Sequence, residues 1–161
     1  MKTKFLIVFI SAWLFMTLTV DMLVLPQAFK VIGDIWLAGS LGIELFRHFN
    51  PLEILFSVIL LVLLSWQEKK LNWKFFFPLI LFFIALLYQF YLTPQIATAT
   101  RVILSLQGQS GQALAMAQLD HHFYHTSYIR LDGVKLLCLF IFLGIIMKPT
   151  NKMLKKERIG L

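Results

Sequence analysis

Four long apolar blocks set apart by polar interruptions form the dominant pattern of this chain. The first runs from Phe5 to Phe29. At a rise of about 1.5 Å per residue it outreaches a hydrocarbon core of roughly 30 Å. Further blocks run from about Pro51 to Trp66, from Trp73 to Leu92, and from about Tyr128 to Met147. The second and fourth have shorter fully apolar centres, so their neighbours are expected in the membrane interface. The pattern predicts an all-α fold, a four-transmembrane-helix bundle forming a single integral membrane domain over residues 1–161.

Between the blocks, apolar positions recur every three or four residues. Phe29, Ile32, Trp36, Gly39, Ile43 and Phe46 form one such series; Ile96, Ala99, Ile103 and Leu106 form another. This spacing predicts amphipathic outer-face helices lying on the bundle. Pro26 and Pro94 are expected to end the preceding spans or kink them. The two halves, residues 1–66 and 67–147, also share a register. Aligning Pro26-Gln27 on Pro94-Gln95 superposes Asp21 on Gln89, and Phe46–Asn50 then corresponds to Phe123–Ser127. A parallel internal duplication, with an axis along the membrane normal, is the expected reading. The longer second half absorbs its excess in the turn Gly108–Gly111.

Composition strengthens the membrane assignment: 59% of residues are hydrophobic and 14% charged, against a usual apolar share near 45–50%. Lys and Arg outnumber Asp and Glu by 15 to 8, a surplus that would suggest nucleic acid in a soluble chain. Here the placement of those residues matters more, and no nucleic-acid partner is expected. Ten basic residues flank one side (Lys2, Lys4, Lys69, Lys70, Lys74, Lys148, Lys152, Lys155, Lys156 and Arg158), and five flank the other (Lys30, Arg47, Arg101, Arg130 and Lys135). The positive-inside rule then places both termini, the loop Gln67–Asn72 and the basic tail 148–161 in the cytoplasm. The expected location is the bacterial inner (plasma) membrane. Lys2 and Lys4 before an apolar run also suit a signal peptide, but the run is too long and lacks an A-x-A site, so a retained span is expected. The single cysteine, Cys138, lies within an apolar run and forms no intramolecular disulfide.

Candidate chemistry concentrates at the outer side. Gln118, His121, His122 and His125 share one face of a helix, opposite an apolar stripe of Met116, Leu119 and Phe123. Imidazoles at i and i+4 suit a shared metal, with Asp120 or His48 adding a ligand, and haem, copper and zinc are the cofactors they would serve. The alternative is a solvated polar face with no cofactor. Asp21, an ionisable group inside a span, is a functional candidate by default; as a structural group it would pair with Lys135. The duplicate register suggests a polar cluster of Asp21, Gln89, His48 and His125 at the outer end. Trp13, Trp66, Trp73, Tyr88, Tyr91, Tyr124 and Tyr128 are expected as belt residues. No P-loop, dinucleotide fingerprint, H-E-x-x-H or G-x-S-x-G is present.

Four short segments carry a family resemblance: Val24–Phe29, Ala38–Gly42, Phe49–Glu53 and Phe123–Ser127. In these the chain resembles small four-helix membrane proteins of unknown function, related to eukaryotic transmembrane protein 205 and grouped loosely with copper-resistance D proteins. An asparagine that the family carries after the last segment is absent. The resemblance implies four spans and brings no established activity. The expectation is a non-enzymatic accessory, stress-resistance or transport-associated protein. It would sit in the lipid bilayer and assemble with itself or with a membrane partner. The alternative is a metal- or haem-handling redox protein using His121, His122 and His125.

Overall fold

The computed structural model describes residues 2–68, 72–106, 108 and 111–148. Residues 149–161 of the basic tail, Lys69, Lys70 and part of the Gly108–Gly111 turn lie outside the described residues. Those described form helices and short connections, with no strand among them. In order they are α1 (Lys2–Thr19), a π segment (Val20–Val24), α2 (Leu25–Ile32), α3 (Ile35–Gln67), a 3-10 turn (Trp73–Phe75), α4 (Phe76–Leu87), a second π segment (Tyr88–Leu92), α5 (Thr93–Ser105) and α6 (Gln112–Met147).

Three continuous helical stretches are long and apolar enough to cross a membrane: Thr3–Ile32, Ile35–Gln67 and Trp73–Ser105. The fourth long helix, α6, has 36 residues, and its apolar run is interrupted by Arg130, Asp132 and Lys135. Large apolar side chains cover the outside of the molecule, Val8, Phe15, Phe83 and Phe90 among them. In a soluble protein so extensive an apolar exterior would be a liability. Against acyl chains it is the expected surface, and the chain is an integral membrane protein.

The expected outer-face amphipathic helices exist as sequence but not as separate bodies lying on the bundle. They are continuations of the long helices. At Pro26 and Pro94 the helix does not stop: a π segment precedes each proline, and a regular α-helix resumes with the proline in its first turn. A proline ring collides with the carbonyl four residues back in an α ladder. The wider turn of a π segment moves that carbonyl's bonding register and admits the ring. Pro51 likewise lies inside α3 without ending it.

α1 packs on α3 and α6, α3 on α4 and α5, and α6 on α4 and α5. One apolar core gathers Leu6, Ile10, Trp13, Leu14, Leu60, Leu64, Leu81, Leu139, Phe142 and Ile146 at the end holding the start of α1. A second, of Ile84, Tyr88, Leu92, Ile96 and Tyr128, continues it along α4–α5. At the far end α2 turns into α3 through Gly33, whose φ of 71° needs the freedom of glycine, and Asp34, which accepts from the amides of Trp36 and Leu37 at 2.8 and 3.0 Å.

Candidate functional site: a charged layer beside an apolar cavity

The interior carries a layer of buried polar side chains. Glu53 of α3 is 0% exposed and Lys135 of α6 is 1% exposed. Lys135 Nζ donates to Glu53 Oε1 at 2.9 Å, and its second carboxylate is Asp132, one turn away at 2.5 Å. Trp13 Nε1 donates to the same Glu53 oxygen at 3.3 Å. The Tyr88 ring, from the second π segment, lies 5.4 Å from the ammonium and stacks on Tyr128 with centroids 4.1 Å apart. The Tyr128 hydroxyl donates to Asn50 Oδ1 at 3.1 Å, while Asn50 Nδ2 donates to Thr93 Oγ1 at 2.9 Å. One turn of α3 thus supplies Asn50 and Glu53, each anchoring a different neighbour. Burying an ion costs several kcal/mol unless partners replace its water, and here one ammonium receives two carboxylates and a ring face.

Above this layer opens a cavity of about 630 Å³, in the range typical of small-molecule sites. Its walls are mostly apolar: Leu25, Pro26 and Phe29 from α2, Trp36, Ile43 and Phe46 from α3, and Ile96 from α5. Its polar contributors are Asp21 and Asp132 toward the charged layer, Thr93 and Thr100 of α5, and His121, His122, His125 and Tyr128 of α6. Asp21 sits in the first π segment, within electrostatic reach of Asp132, Lys135 and Glu53. Its Oδ2 is buried and accepts no hydrogen bond from any described donor; the same holds for Gln89 Oε1 in the second π segment.

His121 and His125 stack one turn apart, with ring centroids at 5.4 Å, and Trp36 meets His121 edge-on at 5.3 Å. Burial pushes both imidazoles below the ordinary 6.5, helped at His121 by His125 and His122, and at His125 by His122.

Several expectations need correction. Lys135 pairs with Glu53 and Asp132 rather than with Asp21, because its position on α6 carries the ammonium between α3 and its own preceding turn. The four-membered cluster of Asp21, Gln89, His48 and His125 does not assemble as drawn. Asp21 and His125 line one cavity, but the His48 side chain is 76% exposed and bonds through Nδ1 to the Glu44 carbonyl of its own helix. Gln89 is half-buried and lies outside the cavity lining. His121, His122, His125 and Asp120 do not converge on a metal: among the described residues no group of three such side chains is placed to hold one. Asp120 instead lines a smaller recess of about 250 Å³ between α5 and α6. The stripes of α6 are reversed, since Met116, Leu119 and Phe123 face outward while the histidines face the cavity. Trp13, Tyr88 and Tyr128 are core residues rather than belt residues.

Glu53, Asp132, Asn50 and Trp13 were not expected at the site. The available signal was their setting: Glu53 interrupts the second apolar block, and Asp132 and Lys135 fall one turn apart within the fourth.

No family model, curated protein or solved structure matches the chain.

Proposed function

We propose that this is a non-enzymatic integral membrane protein of four spans, with both termini cytoplasmic and a transport-associated or stress-resistance role carried by its outer cavity. One observation supports this most directly: a fully buried Glu53–Lys135–Asp132 network lies beneath a cavity inside an apolar bundle. Ionisable groups at membrane depth are costly, and they commonly mark ion or substrate pathways. Hydrolytic or group-transfer chemistry has less support, because among the described residues no hydroxyl lining the cavity is hydrogen-bonded to a base.

The fourth span is the part of α6 from about Tyr128 to Met147. Of its interrupting charges, Asp132 and Lys135 turn inward, where Lys135 is neutralised, while Arg130 is exposed and Leu137, Phe140 and Ile141 remain outside. Removing Lys135 from the flank count leaves Lys30, Arg47, Arg101 and Arg130 on the outer side, so the basic bias toward the termini is stronger than the sequence count implied. The bacterial inner membrane is the location this bias fits. The internal duplication draws support from the π segments, which open at Val20 and Tyr88 and stand at the same interval before Pro26 and Pro94. Kinship with the transmembrane protein 205 group belongs to the same proposal.

Cysteine accessibility in intact cells tests the topology. Gly111→Cys is expected to react with an impermeant maleimide from outside, and labelling from the cytoplasmic side alone would overturn the arrangement. The non-enzymatic reading would fall to a Soret band or a stoichiometric metal in the purified protein.

A further inference from the structure

The outer cavity combines an apolar body with an acidic end. Its aromatic lining includes Trp36, Phe46 and Phe29. Its two carboxyl side chains, Asp21 and Asp132, face one neighbouring ammonium, Lys135, which Glu53 already shares. Asp21 is left with a buried oxygen that no described donor reaches. Among the described residues no Lys or Arg lines the cavity, and burial together with the neighbouring imidazoles disfavours the charged form of His121 and His125.

An anion entering this space would meet two acidic side chains and, among the described residues, no Lys or Arg. A metal ion would find no group of three ligating side chains. A wholly apolar ligand would fill the walls but leave the buried Asp21 oxygen unpaired, a costly outcome away from water. Charge complementarity therefore selects a positively charged group, and the walls select an apolar frame around it. Aromatic faces reinforce that choice, since a desolvated cation is drawn to their electron-rich surface.

We propose that the cavity is a binding site for a lipophilic organic cation, its charge directed at Asp21 and its apolar body held between α2, α3 and α6. This rests on the membrane reading above and adds the ligand class. The outer position suits a ligand that partitions into the membrane and enters from the outer interface. Lys135 then acts as a fixed internal counter-charge: it holds Glu53 and Asp132 and leaves Asp21 for the ligand.

The test uses two probes of nearly the same shape and opposite charge, tetraphenylphosphonium and tetraphenylborate. Each is titrated against the full chain in lipid nanodiscs, with protein-free discs as the partition control. Saturable one-to-one binding of the phosphonium is expected, with no saturable binding of the borate. Asp21→Asn is expected to weaken the phosphonium by roughly tenfold, the scale of losing one close charge partner, while Asp21→Glu keeps most of the affinity. Trp36→Ala should weaken it as well without altering charge selectivity. Equal binding of both probes, binding of neither, or an unchanged affinity in Asp21→Asn would each overturn the proposal. Should Asp21→Asn fail to fold, the comparison of the two probes on the unmodified chain decides the matter. Outside labelling at Gly111→Cys together with absent cation preference would remove the cavity assignment and leave the membrane topology standing.

Discussion

Burying Lys135 is tolerable because two carboxylates and an aromatic face replace its water. Truncating it would strand Glu53, which is fully enclosed. Lys135→Met is therefore expected to destabilise the protein by about 3–5 kcal/mol, the usual cost of breaking a buried pair from one side. The double variant Glu53→Leu with Lys135→Met should recover much of that loss, as read by the midpoint of unfolding in mixed micelles. The histidines give a second expectation with a definite sign. His121 and His125 have folded values below the ordinary 6.5, so the unfolded chain binds more protons as pH drops through that value. Their stability contribution is complete above 6.5 and declines below it. The His121→Gln/His125→Gln variant should lose less stability than the unmodified chain between about pH 7 and pH 5.5, measured by thermal unfolding at each pH. At this scale the sequence showed which side chains were chemically capable but not which would meet. Asp21 was the expected partner of Lys135, whereas Glu53 and Asp132 hold it, and the choice depends on how α3 and α6 are rotated about their axes. Linear spacing does not encode that rotation.

The helices themselves were legible because apolar blocks of this length have few alternatives in a membrane. Their continuity was not. Pro26 and Pro94 read as terminators or kinks because the steric rule behind them assumes an α ladder, and a π segment relaxes that assumption. The true break in the first half comes at Gly33 and Asp34, two residues whose roles are separable. Asp34→Ala removes the acceptor of two amide bonds and is expected to cost about 1 kcal/mol. Gly33→Ala forces a side chain into the left-handed region and should cost roughly 1–2 kcal/mol. Gly133→Ala serves as the control: it lies mid-helix with no atom within 4 Å of the added carbon, so about 1 kcal/mol of stabilisation is expected. Unfolding midpoints of the three variants, measured side by side, check the ordering.

At the scale of the whole molecule, the long helices exceed the thickness of a hydrocarbon core. α6, with 36 residues, extends about 54 Å against a core of roughly 30 Å, so on the proposed four-span reading it overhangs the bilayer. A sequence count of apolar residues captures the crossing but not the overhang, which is why the outer segments were read as separate bodies. The overhang of α6 presents Met116, Leu119 and Phe123 outward, with the histidine-lined cavity behind them. If α6 is the fourth span, an apolar edge backed by a polar hollow makes the protein sensitive to bilayer thickness. In a thin bilayer that edge stands among headgroups and the cavity mouth meets water; in a thick one it sinks among acyl chains and the mouth meets oil. Tilting relieves such mismatch only in part. A nitroxide attached at Phe123→Cys should accordingly show rising oxygen collision rates and falling collisions with a water-soluble nickel chelate as lipid chains lengthen. Unchanged collision rates across that series would mean the edge never leaves water. The same lengthening would bar the cavity to solutes arriving from water and leave it open to those already dissolved in the membrane.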